Sequence, residues 1–385
     1  MGSNRWVAIV TTIAVAAACR EPNNGPATSR APAFAVSGAP ACPTGANFIV
    51  TDEASLRAAL SAASPGNVIA LNGFFAVTAD VAITTPSVTL TCATPGSGIF
   101  APPGFSGLWL LQVLAGGVTV DRLVLEGGHA PEGPYVAGTD GTLGFFADTA
   151  RLTNNRVTCG SPNGECAFFV GTREAVVVDN RFESAGSSTG IHLQSGIDGS
   201  RVERNTVVAS APSTSFALGG IRVRDGGDVV VADNDVTGPW SNSIATTNLV
   251  GSRFENNRLQ GAVVNGIRFN VGPPLMIGNA FRNNQVTGAG SAGIFAQWAC
   301  SNTFLGNNLE GNGRLPSAIF DATTGANVLV LVGAKNLVID NGGSFDCNGD
   351  GVGDPNIIAG PGRVVHGVTV GSSADAGAAR SGRLR

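Results

Sequence analysis

The chain has 385 residues, only 13% of them charged and 6% aromatic, with 54 Gly, 20 Pro and a single Tyr. Charge at about half the usual content, a mean hydropathy of +0.20 and no run of 18 apolar residues exclude a bundle of membrane-spanning helices. An apolar content of 43% with net charge −4 excludes intrinsic disorder, and a pI near 5.4 without a basic cluster excludes nucleic acid as a partner. Lys and Glu are scarce and Gly and Asn recur throughout, which speaks against long helices and for a Gly- and Asn-rich β architecture.

Arg5 precedes an apolar stretch from Trp6 to Ala18, too short to span a bilayer and suited to the apolar region of a signal peptide. The stretch ends Val15-Ala16-Ala17-Ala18, which fits an ordinary Ala-x-Ala cleavage site and plain secretion. With Cys19 immediately after, it resembles the lipobox of bacterial lipoproteins, although the usual Leu at its first position is replaced by Val15. That resemblance implies a diacylated Cys19 as the new N-terminus, and Arg20 beside it implies no retention at an inner membrane. Trp6 occupies the place where N-myristoylation needs Ser or Thr. Residues 1–18 are thus expected to be a signal peptide and 19–41 a lipidated Cys with a Pro-, Ala-, Ser- and Gly-rich tether.

Of the seven Cys, lipidation of Cys19 leaves Cys42, Cys92, Cys159, Cys166, Cys300 and Cys347, an even set suited to an oxidising compartment. Six Cys allow fifteen connectivities. Cys159 and Cys166 flank the turn-rich run Gly160-Ser161-Pro162-Asn163-Gly164-Glu165 and are expected to pair, with Cys42–Cys92 and Cys300–Cys347 following for the rest. No C-x-x-C spacing exists for zinc or thiol redox chemistry.

A helix is expected next: Thr51 or Asp52 is a good N-cap, Leu56 and Leu60 share a face, and Pro65-Gly66 stops it. Beyond it the chain repeats. The pattern apolar-x-x-Asn-x-apolar recurs with its Asn at 155, 180, 205, 234, 257, 284 and 307. Val118…Asp121…Leu123 is a degenerate early copy, and Val332…Lys335…Leu337 a late one. In phase with it run Gly190-Ile191, Gly220-Ile221, Gly266-Ile267 and Gly293-Ile294, with Ser243-Ile244, Ala318-Ile319 and Ala167-Phe168 read into the same slot. Short alternating runs ended by Gly, Asn or Asp are strands, and a unit of this size buries its apolar face only by stacking on copies of itself. The Ile residues from 191 to 319 then form an interior column, and the Asn residues occupy a left-handed turn position while bonding to one another along the stack.

The repeat resembles right-handed parallel β-helix proteins of the pectin-lyase-like superfamily over roughly residues 47–370. The resemblance implies an all-β solenoid domain, residues 42–370, of about 12 turns and roughly 55–60 Å, capped by the short N-terminal helix. It also implies a carbohydrate groove along the Gly-Ile sheet. Alternation sets His192, Arg222, Ala245, Arg268, Phe295 and Phe320 outward in one column, with Gln194, Arg224, Thr246 or Thr247, Asn270 and Gln297 beside them. With Trp298, this strip suits an acidic polysaccharide: Arg forks grip carboxylates or sulfates, and aromatic faces stack on sugar rings. His192, or an Arg crowded by other cations such as Arg222 or Arg268, is the candidate base of a lyase. The same residues also suit a merely solvated sheet face. No carboxylate is expected on these columns before Asp321, which disfavours a hydrolase with a carboxyl pair.

Residues 126–146, with His129, Glu132, Tyr135 and Asp140, interrupt the repeat as an inserted loop. Asp346-x-Asn348-x-Asp350-Gly351-Val352-x-Asp354 matches the first nine positions of an EF-hand-type loop, in which these side chains and the Val352 carbonyl would hold a structural Ca²⁺. Ile357 stands where that loop needs Glu, so the motif looks more like the calcium loops of dockerin or thrombospondin type-3 repeats. Its bland reading is a Gly/Asp turn clipped by Cys347. Residues 371–385 read as a disordered tail. The expectation is a monomeric, exported and lipid-anchored β-helix at the bacterial outer membrane or cell surface, engaging a glycan by binding or lyase cleavage. The competing class is a structural or adhesive stalk without catalysis.

Overall fold

The computed structural model describes residues 41–127, 141–159, 164–185, 189–212, 219–269, 275–313, 318–341 and 344–366. The chain divides into two units, Met1–Ala33 and Phe34–Arg385. The first, with Cys19, lies outside the described residues, as do His129, Glu132, Tyr135, Asp140, Asn270 and the 371–385 tail. The account below concerns the second.

That unit is an all-β parallel β-helix. A turn contains three short strands, for example Thr189–Gln194, Arg201–Glu203 and Thr206–Ala209, and the next contains Gly219–Gly227, Val230–Ala232 and Asp235–Thr237. Each strand pairs in parallel with its copy, as in Ile191↔Ile221, Val202↔Val231 and Val207↔Val236. On the first of the three faces a path of twelve strands runs from Val81–Ile83 to Arg363–His366, in line with the expected number of turns. The expected helix is Glu53–Ala62, with Asp52 as N-cap in a reciprocal capping box with Ser55 and with Leu56 fully buried. All three expected disulfides are present: Cys42–Cys92, Cys159–Cys166 and Cys300–Cys347.

Apolar columns fill the interior. Ile191, Ile221, Ile244, Ile267 and Ile294 have no exposed surface. Phe254, Phe281 and Phe304 stack nearly parallel, with centroids 4.7 and 5.0 Å apart. The Gly before Ile191, Ile221, Ile267 and Ile294 also faces inward. A Cβ at Gly190, Gly220 or Gly266 would stand 2.6, 2.4 or 2.0 Å from the Cγ1 of Val207, Val236 or Val286. Two successive inward residues break the strict alternation, as a bulge does.

The interior column departs from expectation at both ends. Ile294 pairs with Ala318, so Ile319 follows Phe295 on the outer face and Phe320 follows Ala296 into the core. Similarly Ala167 pairs with Ile191, which places Cys166 in the Gly slot and Phe168 outside. A slip of one residue exchanges the two faces of a strand.

The seven Asn form a continuous buried ladder. Each Oδ1 accepts from the backbone N–H and the Nδ2 of the Asn one turn earlier, at 2.8–3.1 Å, from Asn155 to Asn307. Each Nδ2 also donates to an interior backbone carbonyl, as from Asn234 to Val202 and from Asn257 to Val231. The left-handed position is not the ladder Asn itself but the residue before it: Asn154, Asp179, Arg204, Asp233, Asn256, Asn283 and Gly306 have φ between 53° and 70°. The ladder therefore exists for its side chain, and the αL residue only turns the corner. A second ladder joins Asn279, Asn302, Asn327 and Asn356 at another corner.

Replacing Asn234 by Ala orphans the buried Asn205 N–H and removes the Nδ2 bond to the Val202 carbonyl, and should lower the unfolding free energy by about 1–3 kcal/mol. Asn256→Gly, at the neighbouring left-handed corner position (φ 57°), should be close to neutral. Urea unfolding of both variants checks the contrast.

Candidate functional site

On the outer side of the twelve-strand face, side chains align in three columns. The register sets Phe168, His192, Arg222, Ala245, Arg268, Phe295 and Ile319 in the central one. Val170, Gln194, Arg224 and Thr247 form the second. The third holds Trp109, Gly141, Glu165 and Thr189 at one end, and Gly219, Asn242, Asn265 and Ala292 beyond. Because Gly and Ile both face inward, the residue three before a central-column residue returns to the outer side. Asn265 Nδ2 thus donates to Asn242 Oδ1 at 3.1 Å across one turn.

This brings Glu165 to His192. Glu165 Oε1 lies 2.7 Å from His192 Nδ1, and neither side chain has any exposed surface. The expectation of a column without carboxylates is corrected here, as is that of an exposed His192. His192 Nε2 has no hydrogen-bond partner among the described residues. Burial pushes the imidazole below its ordinary pKa against the opposing pull of Glu165, and the charges of Arg222 and Arg224 add to the lowering. His192 is therefore neutral near pH 7.

Around this pair the surface changes character along the stack. On one side the Phe168 ring lies 5.0 Å from the imidazole and stacks on Trp109 at 6.0 Å, with Phe146 set edge-on to both. On the other side come Arg222 and, two turns on, Arg268, 8% and 6% exposed; burial lowers the Arg268 guanidinium from its ordinary value. Arg224 is half-buried and pairs with Asp225 at 2.8 Å. Beyond Arg268, Phe295 packs with Ala292, Ile319 and Ile339.

The other predicted site residues divide. Gln194 and Gln297 each hold a buried Oε1 without a hydrogen-bond partner among the described residues. Trp298 is not on the strip: it occupies a left-handed corner with φ 52°, and its ring meets Phe345 edge-on at 6.1 Å. Phe320 lies in the core against Phe304. Asn270 lies outside the described residues. Asp321 caps its own turn through the Thr323 N–H and hydroxyl.

In the 346–354 loop the acidic side chains serve their own backbone. Asp346 accepts from the N–H groups of Gly349 and Gly351, bonds that lower its pKa. Asn348 accepts from Asp350 N–H, Asp350 from Val352 N–H, and Asp354 from Cys347 N–H. Among the described residues no group of three His, Cys, Asp or Glu side chains is gathered to hold a metal ion.

Residues 141–309 match the family model described as a right handed beta helix region, the span that carries the Asn ladder. No curated protein sequence matches the chain. Among solved structures, a mannuronic acid specific polysaccharide family 6 lyase from human gut microbiota aligns with a TM-score of 0.53 and 12% identity, over 83% of this chain and 83% of that one. A DFA-IIIase from Arthrobacter chlorophenolicus A6 aligns with a TM-score of 0.50 and 15% identity, over 83% of this chain and 94% of that one. The chain spans 64% of the Dettilon tailspike protein, with a TM-score of 0.45 and 14% identity. At these identities the likeness is one of fold, a right-handed parallel β-helix.

Proposed function

We propose that the outer side of the twelve-strand face engages an acidic polysaccharide and that His192 is the base of a lyase reaction upon it. The observation that carries this reading is His192 held at Nδ1 by Glu165, with an Nε2 that has no hydrogen-bond partner among the described residues and lies one turn from Arg222. In the reaction, Nε2 takes the proton α to the uronate carboxyl, the electron pair forms the new C4=C5 double bond, and the C4–O bond breaks. The imidazolium then returns the proton to the leaving oxygen, so the enzyme ends unchanged. Arg222 neutralises the carboxyl whose α-proton is lost, and Arg268, two turns or about 9.5 Å further, takes a second acidic group. Gln194, Arg224, Phe295 and Gln297 complete the proposed binding strip, and Asn270, outside the described residues, is proposed with them from its place in the sequence. Support also comes from the named activities of the fold neighbours, which include a polysaccharide lyase.

His192, Arg222 and Arg268 are all buried, and this favours a second reading, a non-catalytic stalk whose loops meet a partner. Export, lipidation at Cys19, a cell-envelope location and a monomeric state belong to either reading, and three disulfides support an oxidising compartment. Calcium at Asp346, Asn348, Asp350, Val352 and Asp354 is likewise proposed as structural. The oxygens that accept backbone N–H groups in this loop keep further lone pairs that a cation can share.

Three measurements follow. Screened on acidic glycans, the wild type should release unsaturated uronate, detected by its ultraviolet absorbance, and His192→Gln should lose about 100-fold or more in rate. Silence in both binding and cleavage overturns the proposal and leaves the stalk. Because the folded His192 pKa is depressed, its contribution to stability is present above about pH 6.5 and is lost as pH falls below it. The stability of wild type relative to His192→Gln should therefore decline on acidification, and parallel curves would contradict the depressed pKa. Calcium titration calorimetry should give heat that Asp350→Ala abolishes.

A further inference from the structure

The turn that supplies Glu165 departs from its neighbours in two ways at once. Its outer position carries a carboxylate where the following turns carry Thr189, Gly219, Asn242 and Asn265. Its inward slot carries Cys166 where the preceding turn carries Thr142 and the following ones Gly190, Gly220, Ser243 and Gly266. Cys166 is buried and bonded to Cys159, at the end of the strand Arg156–Cys159 on another face of the helix. The covalent tie therefore sits one residue from the carboxylate and anchors the start of its strand from the inside.

We propose that Glu165, clipped by the Cys159–Cys166 disulfide, is the positioning residue that holds His192 as its Nδ1–H tautomer and leaves Nε2 as the proton-accepting atom. The inference rests on the reading of His192 as a base, and extends it to what sets that base. A carboxylate at 2.7 Å from Nδ1 accepts the ring N–H in a short charge-assisted bond. The other tautomer would turn an Nδ1 lone pair onto the carboxylate and bury an Nε2–H with no acceptor among the described residues, so both ends of the ring oppose it. A fixed tautomer matters because a base that shares its proton between two nitrogens is correctly protonated only part of the time. The clip matters because Glu165 begins its strand and its neighbour Cys166 is tied covalently to a strand on another face.

The test is ¹⁵N NMR of histidine-labelled protein at pH 7. The chain has three His, and His192 is assigned by the signal lost in His192→Gln. Wild type should show the Nδ1–H tautomer, and Glu165→Leu should move the tautomer ratio by roughly tenfold or more, the scale of one buried charge-assisted hydrogen bond. Glu165→Gln should give an intermediate ratio and serves if the Leu variant fails to fold. The Cys159→Ser/Cys166→Ser double variant should shift the ratio in the same direction. An unchanged tautomer in both Glu165 variants overturns the positioning role, and an unchanged one in the double Ser variant overturns the clip. If the ratio shifts as expected but wild type cleaves no glycan, positioning stands and the lyase reading falls.

Discussion

The buried Asn ladder is the constraint on which everything else depends. A solenoid of short strands has little to prevent neighbouring turns from slipping by a residue, and a slip exchanges core and surface. From Asn155 to Asn307 each amide bonds to the equivalent amide and backbone of the adjacent turn, so a slipped turn would leave several buried polar groups without partners. Hydrogen bonds of this kind add modestly when made and cost heavily when broken inside the protein. The ladder thus acts as a register lock more than as a source of attraction.

Register is what turns separate side chains into columns. With the stack locked, residues far apart in sequence repeat at about 4.8 Å on one face, and His192, Arg222 and Arg268 stand in line although 76 residues separate the first from the last. The paired inward Gly-Ile adds a second effect. It returns the residue three positions earlier to the outer side, so each turn presents three outer columns instead of two. Glu165 reaches His192 only through this break in alternation.

Much of this was legible in the sequence, because repetition multiplies a weak signal. The Asn spacing, the Gly-Ile slot, the capping helix and the disulfide pairs are all where the residues indicate. Failures occurred where a turn lacks the marker. Without a Gly, the turn at 165–170 aligns by sequence on Ala167-Phe168, which puts Cys166 in the position of Glu165 and conceals the carboxylate. The position of Glu165 is the one before each Gly-Ile, held by Thr189, Gly219, Asn265 and Ala292, and it becomes readable once Cys166 is accepted as a Gly substitute. Ala318-Ile319 likewise lacks the Gly, so its sequence places Phe320 outside although the register takes it into the core. The ladder Asn was credited with a backbone duty that belongs to its neighbour, since an Asn in a turn motif suits both roles and only the φ values separate them.

The central outer column bears on whether its polar members are there for the fold. Phe168, Phe295 and Ile319 occupy it at 4%, 7% and 3% exposure, and His192, Arg222 and Arg268 at 0%, 8% and 6%. The same environment thus accepts aromatic and aliphatic side chains at equal burial. Buried charged groups are weak contributors to stability, because desolvation offsets most of their attraction, and well-packed apolar residues in their place are often as stable or more so. A fold that fills neighbouring slots of one column with Phe and Ile does not need His and Arg in the slots between. In a protein with only 13% charged residues, an imidazole and two guanidinium groups inside that column, with a carboxylate in the column beside it, are a cost to stability that the fold does not require, which supports the chemistry proposed for the strip.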